Sequence, residues 1–140
     1  MSKIVIGLDV GERRIGVARG DFGVKIASPL QPLVNDEQIF SNIAEIASKN
    51  RAETIVIGLP RNASGQETAQ SEYSRDFASK LADFTEVKIV FQDESLTSIE
   101  AEKNLRRRKN FNENMLRDGT LDSEAATLIL QDFLERIENA

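Results

Sequence analysis

An α/β fold, built on a mixed five-stranded sheet with helices on both faces, follows from three features of this 140-residue sequence. Residues 3–9 (KIVIGLD) and 54–59 (TIVIGL) are β-branched runs without polar alternation, the pattern of strands covered on both faces. Segments with apolar residues at helical spacing separate and follow the later strands, as in strand-helix-strand units. Ahead of them, two short strand-like segments follow the first run with only tight turns between, which makes these three antiparallel neighbours.

Taken in order, residues 3–9 form the central strand, and Gly11 to Arg14 supply a tight turn. Ile15 to Arg19 and Val24 to Ala27 read as two further strands around the turn signal Gly20-Asp21-Phe22-Gly23. Pro29 and Pro32 then mark a loop. Asn35-x-x-Gln38 is a capping-box signature ahead of Ile39, Ile43, Ile46 and Ala47, predicting a helix that ends near Asn50. Thr54 to Leu59 is a buried strand closed by Pro60. Ser64-x-x-Glu67 is a second capping box, opening a helix with Ala69, Tyr73, Phe77 and Leu81 on one face, to about Phe84. Val87 to Phe91 is the fifth strand. Thr97-x-x-Glu100 caps a short helix through about Lys109, and Asn110 to Gly119, polar and Gly-ended, reads as a mobile connector. A final helix runs from about Leu121 to about Glu138. Crossover helices make the last two strands parallel to the first, so the sheet has three antiparallel strands and then two parallel ones. Residues 1–140 are expected to form a single domain.

Composition narrows the chemistry. There is no Cys and no His, which excludes thiol nucleophiles, Cys/His zinc sites, imidazole bases and Ser-His-Asp triads. An enzyme built from this chain must use carboxylates, Lys, Tyr or a metal held by oxygen. The first apolar run is broken at Asp9, far short of a signal or membrane segment, so a cytoplasmic protein without a membrane partner is expected. Eighteen basic residues against 23 acidic ones leave a net charge of −5, which at first sight argues against nucleic acid. The distribution says otherwise. From Asp122 onward there are five acidic residues and one basic, so the preceding 121 residues carry only −1. If a bound metal neutralises Asp9 and one of the adjacent pair Asp93 and Glu94, that balance becomes +1. Weak, salt-dependent binding through local basic loops is therefore the expectation.

Three acidic positions stand where a solvated charge is out of place. Asp9 ends the most apolar strand; a turn-forming role is the plainer alternative. Asp93 and Glu94 end the fifth strand, at the carboxyl edge where open α/β sheets bind ligands. Adjacent strand residues point to opposite faces, so only one of the two can face a shared site. Asp122 lies four residues before Ala126, on the stripe that continues through Ile129, Leu130, Phe133, Leu134 and Ile137. The helix dipole favours an acid in that first turn but does not explain its face. Glu124 falls on the outward side with Gln131, Glu135 and Glu138 and reads as solvated, and Glu100 reads as a cap. Converged without His or Cys, three carboxylates would bind Mg²⁺ or Mn²⁺. Two such ions about 4 Å apart would make a phosphodiester hydrolase.

Four segments resemble the YqgF family, Holliday-junction-resolvase-like proteins assigned as pre-16S rRNA nucleases on a ribonuclease H-like fold. They are Gly7-Leu-Asp-Val-Gly-Glu-Arg-Arg-Ile-Gly-Val-Ala18, Ile57-Gly-Leu-Pro-Arg-Asn-Ala-Ser-Gly65, Asp93-Glu-Ser-Leu-Thr-Ser98 with Glu100-Ala101, and Leu121-Asp-Ser-Glu-Ala-Ala126. They occur in the family's order over nearly the whole chain. The resemblance implies metal-dependent endonucleolytic cleavage of RNA in maturing the 5′ end of 16S rRNA, with the pre-ribosome as the setting. It also implies Asp9, Glu94 and Asp122 as the catalytic, metal-binding acids, which selects Glu94 over Asp93. Arg13, Arg14, Arg61 and Asn62 would then lie where they can meet phosphates. Many members carry Arg where this chain has Ser95, and Lys where it has Thr120. The basic run Lys103, Arg106, Arg107, Arg108 and Lys109 offers replacement contacts, Arg107 among them, or a solubilising helix end. Branched DNA is the alternative substrate. Asp9-x-Gly11 also resembles the phosphate loop of actin-like and sugar-kinase domains, although no second Asp-x-Gly follows a strand. A non-catalytic RNA- or ribosome-binding module is the third reading; it would not need inward carboxylates.

Overall fold

The computed structural model describes residues 3–94 and 97–138. Its sheet has the strand order β3-β2-β1-β4-β5, with β1 at Ile4–Val10, β2 at Arg14–Asp21, β3 at Ile26–Val34, β4 at Ala52–Pro60 and β5 at Lys88–Glu94. β1 pairs antiparallel with β2, and β2 with β3, while β4 is parallel to both β1 and β5. The mixed topology expected from the sequence is therefore present. Helices α1 (Ile39–Lys49) and α2 (Ala69–Leu81) pack on one face, and α4 (Thr120–Glu138) crosses the other beside α3 (Thr97–Arg106).

The pleat of β1 divides the core. Ile6, Leu8 and Val10 point toward Ile39, Ile43 and Ala47 of α1 and Phe77, Ala78 and Leu81 of α2. Val5 points the other way, with Ala18 and Val56, onto Ala126, Ile129, Leu130 and Leu134 of α4. Leu130 and Leu134 are fully buried, each contributing about 1.5–3 kcal/mol by transfer from water. No helix among the described residues is long and apolar enough to cross a membrane.

Several local expectations are corrected. The third strand is Ile26–Val34 and contains both Pro29 and Pro32, which had marked a loop. β3 is an edge strand, where a residue without an N–H can face solvent without costing a ladder bond. Asn35 does not cap α1: its amide donates to Gly11 O and to Tyr73 Oη, both at 2.9 Å, tying the β1–β2 turn to α2. Helix α2 starts after Thr68, whose N–H donates to Ser71 Oγ at 2.9 Å, not at Ser64-x-x-Glu67, and it ends at Leu81, short of Phe84. Phe77 and Leu81 are buried and Tyr73 partly so, as expected, but Ala69 is exposed, and Ser71 and Ser74 share the buried face. Helix α3 stops at Arg106, three residues short of Lys109, and the expected connector contains a short 3-10 helix, Glu113–Leu116. Ser95 and the capping side chain of Thr97 lie outside the described residues.

Candidate active site

Asp9 stands between two strand glycines. It pairs with Gly16 across the antiparallel β1–β2 ladder, and the β1–β4 register, one step beyond the Leu8–Ile57 pair, sets Gly58 on its other side. Residues paired across a ladder share a face, so all three look toward α4. A Cβ on Gly16 would lie 1.9 Å from the Asp122 carbonyl oxygen and 2.8 Å from Ser123 N, so the first turn of α4 rests directly on the β2 backbone. A Cβ on Gly58 would come within 3.2 Å of Glu94 Cδ, which puts the Glu94 carboxyl over that strand. Glu94 and Asp122 thus flank Asp9, one on each side. Asp93, next in the β5 pleat, sits beside Arg61 instead, with Oδ1 3.1 Å from Nε.

The electrostatics agree with this placement. Burial, then the Glu94 and Asp122 charges, push the Asp9 carboxyl from 3.8 up to about 8. Part of Asp9 remains accessible to water, as at the floor of an open site. Protein nonetheless surrounds the carboxyl closely enough to make its ionisation costly. Asp122 is half-buried and accepts a hydrogen bond from Arg14 Nε at 3.2 Å. The adjacent Ser123 is buried, and its Oγ accepts from the Val17 N–H at 3.1 Å, beside the register shift between β2 and β3. This bond pins the start of α4 to an irregular point of the strand, a usual place to re-aim side chains near a site.

The donor set suits a hard divalent cation: three carboxylates, no nitrogen or sulfur, and a central acid pushed up first by burial and then by its two acidic neighbours. Among the described residues no three acids are already gathered around one point. At Asp122 the compensating charge is Arg14.

The expected phosphate-binding residues are divided. Arg13 is exposed at the β1–β2 turn, while Arg14 is held by Asp122. Arg61 turns back into its own loop, with Nη2 3.8 Å from Glu67 Oε2 and Nε near Asp93 without hydrogen-bond geometry. Asn62 Oδ1 accepts from Ser64 N and Gln66 N, both at 2.9 Å, and so builds the 62–66 turn. Arg107 is exposed at the end of α3, 3.4 Å from Asn104 Oδ1. Glu124, expected on a solvated face, is buried and paired with Arg108. The sheet-facing arc of α4 is wider at its N-terminus than the apolar stripe suggested, and the partner came from a basic run too distant in sequence to be read. An open groove of about 790 Å³ meets the site at Glu94, with Arg61, Asn62, Glu100, Asp132 and Arg136 also among its lining; Asp9 and Asp122 do not line it. Gly16, Gly58 and Ser123 were the positions that sequence reasoning missed; Gly16 and Gly58, single glycines inside strand patterns, were the available signal.

Solved structures place this architecture in a class. Thermus thermophilus RuvC in complex with a Holliday junction substrate aligns over 96% of this chain and 95% of its own, with a TM-score of 0.56 at 16% identity. The fowlpox virus resolvase in its Holliday junction DNA complex aligns over 96% and 98%, with a TM-score of 0.53 at 14% identity. The fold is that of RuvC-like resolvases, the ribonuclease H-like fold. The chain belongs to the family described as "RuvX: Holliday junction resolvase", whose model matches residues 3–136. Among its relatives, a protein of Sulfurihydrogenibium sp. (strain YO3AOP1) is 40% identical, covering 98% of this chain and 92% of its own. One of Anaeromyxobacter sp. (strain Fw109-5) is 41% identical, covering 93% and 95%. Both carry the name "Putative pre-16S rRNA nuclease".

Proposed function

We propose that this chain is a metal-dependent endonuclease that hydrolyses phosphodiester bonds in RNA, with the pre-16S rRNA 5′ leader as its substrate. The observation that carries the reading is the placement of the Asp9 carboxyl at the end of β1, flanked by Glu94 and Asp122 and pushed up to about 8 first by burial and then by their two charges. Family membership and the names of the relatives supply the reaction class and the RNA. One domain, residues 1–140, carries the activity in this reading, in the cytoplasm and on the pre-ribosome.

In this reading Asp9, Glu94 and Asp122 hold Mg²⁺ or Mn²⁺. Two bound ions would activate water and stabilise the leaving oxygen of an in-line displacement. The protein's own contribution is positional. β1 fixes Asp9 at its carboxyl end, the clearances over Gly16 and Gly58 set how closely the other acids approach, and the Ser123–Val17 bond fixes the register of α4. Asp9 must lose its proton for the ligand set to form, which ties assembly to pH. Arg13 and Arg107, exposed and without a carboxylate partner in the described contacts, meet phosphates from the flanks. Arg61 and Asn62 act by shaping the 61–67 loop that walls the groove.

The deciding experiment offers the purified protein a pre-rRNA leader fragment and a branched DNA junction, each with and without Mn²⁺ or Mg²⁺. Metal-dependent endonucleolytic cleavage of the RNA is expected. Cleavage of the junction alone would move the substrate to DNA, and metal-independent binding without cleavage would make the protein a binding module.

A further inference from the structure

We infer that Arg14 is an exchangeable counter-ion that stands in for the metal at Asp122 and leaves it when RNA arrives, so that substrate and metal bind cooperatively. The inference rests on the metal-site reading above. Arg14 Nε donates to Asp122 Oδ2 at 3.2 Å, with both side chains about one-third exposed. That oxygen belongs to the acid α4 presents beside Asp9, so a cation ligated by Asp122 competes with the guanidinium. The stem of Arg14 is packed while its guanidinium is partly exposed. Its Cδ packs in the crook before α4, 3.2 Å from where a Cβ on Gly119 would stand, with Pro32 on the same spot.

A second carboxylate is within electrostatic reach. Asp118 is held below the usual carboxylate range first by its bonds from Thr120 and further by the Arg14 charge. Its Oδ1 accepts from the Thr120 hydroxyl at 2.6 Å and N–H at 2.9 Å, which fixes it at the start of α4. Arg14 is therefore drawn by Asp118 as well as by Asp122, and releasing Asp122 does not leave it without a negative neighbour. Partial exposure leaves the guanidinium open to a third anion, a phosphate entering past the β1–β2 turn. Arginine favours such exchanges because its fork of donors suits carboxylate and phosphate equally. A phosphate that takes Arg14 frees Asp122 for the metal, and by linkage a bound metal frees Arg14 for the phosphate.

Mn²⁺ affinity, read calorimetrically or from the free-ion electron paramagnetic resonance signal, tests this with and without a non-cleavable RNA. In the wild-type protein, RNA is expected to tighten Mn²⁺ binding. Arg14→Gln is expected to bind Mn²⁺ about fivefold more tightly than wild type without RNA, the scale of one half-exposed ion pair, and to lose the RNA effect. Asp118→Asn keeps a capping oxygen but removes the charge that attracts Arg14, so Mn²⁺ binding should weaken about two- to fivefold while the RNA effect persists. Arg13→Gln, the same charge change one residue away, should move Mn²⁺ affinity far less. Equal effects at positions 13 and 14 would overturn the pairing in favour of a general field. So would an RNA effect that survives in Arg14→Gln, or wild-type Mn²⁺ binding indifferent to RNA. Arg14→Lys keeps a positive charge and should stay near wild type in Mn²⁺ affinity, which checks the inference if Arg14→Gln misfolds. Absence of any Mn²⁺ binding by folded wild-type protein would instead refute the metal site itself.

Discussion

At the scale of single residues, Asp9 concentrates the argument because position and proton affinity point the same way. Its folded-state pKa of about 8 lies above the unfolded 3.8, so between those values the folded protein binds the extra proton. Metal-free stability must then fall as pH rises across that window and stay low above it. Asn at this position carries no proton to lose. Thermal melts of metal-free protein should therefore show Asp9→Asn matching wild type near pH 4 and exceeding it by several degrees near pH 9. Equal melting temperatures at the higher pH would remove the crowded-carboxylate account. The same proton must leave before a metal is held, so Mn²⁺ affinity should rise with pH up to about 8 and then level. Asp9 was only half legible in the sequence: an acid ends the apolar run IVIGL, but a turn-forming role explained it as well until Glu94 and Asp122 were considered with it. The choice of Glu94 over Asp93 was not legible from local residues, since period-two alternation allows either; the structure puts Glu94 over Gly58 and leaves Asp93 with Arg61.

At the scale of elements, the site is made by how closely α4 approaches the sheet. Gly16→Ala would drive a methyl to 1.9 Å from a backbone carbonyl that cannot rotate away, so the helix start must shift. A loss of about 3 kcal/mol or more in chemical denaturation is expected. Gly58→Ala meets Ile129 Cδ1 at 2.5 Å and Glu94 Cδ at 3.2 Å, both ends of side chains that can move. It should cost about 1–2 kcal/mol in the same measurement yet displace Glu94, lowering cleavage far more than the stability change explains. Equal stability losses at the two positions would contradict the close contact with the α4 backbone. Ser123→Ala leaves the Val17 N–H without its acceptor and should cost about 1–3 kcal/mol, visible in the same denaturation series. Strands β1 and β4 and helices α1 and α4 were readable because burial on both faces leaves an unbroken apolar run and a sheet-facing helix leaves a periodic stripe. β3 was misread because the usual meaning of proline as a breaker yields to its tolerance at a sheet edge. Glu124 was misread because a buried acid is satisfied by a distant arginine, Arg108, that no local pattern announces.

At the scale of the whole molecule, the net charge of −5 misrepresents what an RNA would meet. Glu124 is buried and matched by Arg108, so part of the acidity of α4 is used internally. Binding should rest on a few local cations, with a log-affinity against log-salt slope of about −2 to −3. Arg13→Ala should reduce that slope by about 0.7 in filter binding or fluorescence titration, equivalently across unrelated RNA sequences. The central claim is that Asp9, between Glu94 and Asp122, is the acid on which metal-dependent cleavage turns. It is tested most directly by following cleavage of a pre-rRNA leader fragment in Mn²⁺ by wild type and by Asp9→Asn of verified fold. Metal-dependent cleavage by wild type, with a loss on the order of 10³-fold or more in the variant, is the predicted result. Cleavage by Asp9→Asn at the wild-type rate would contradict it.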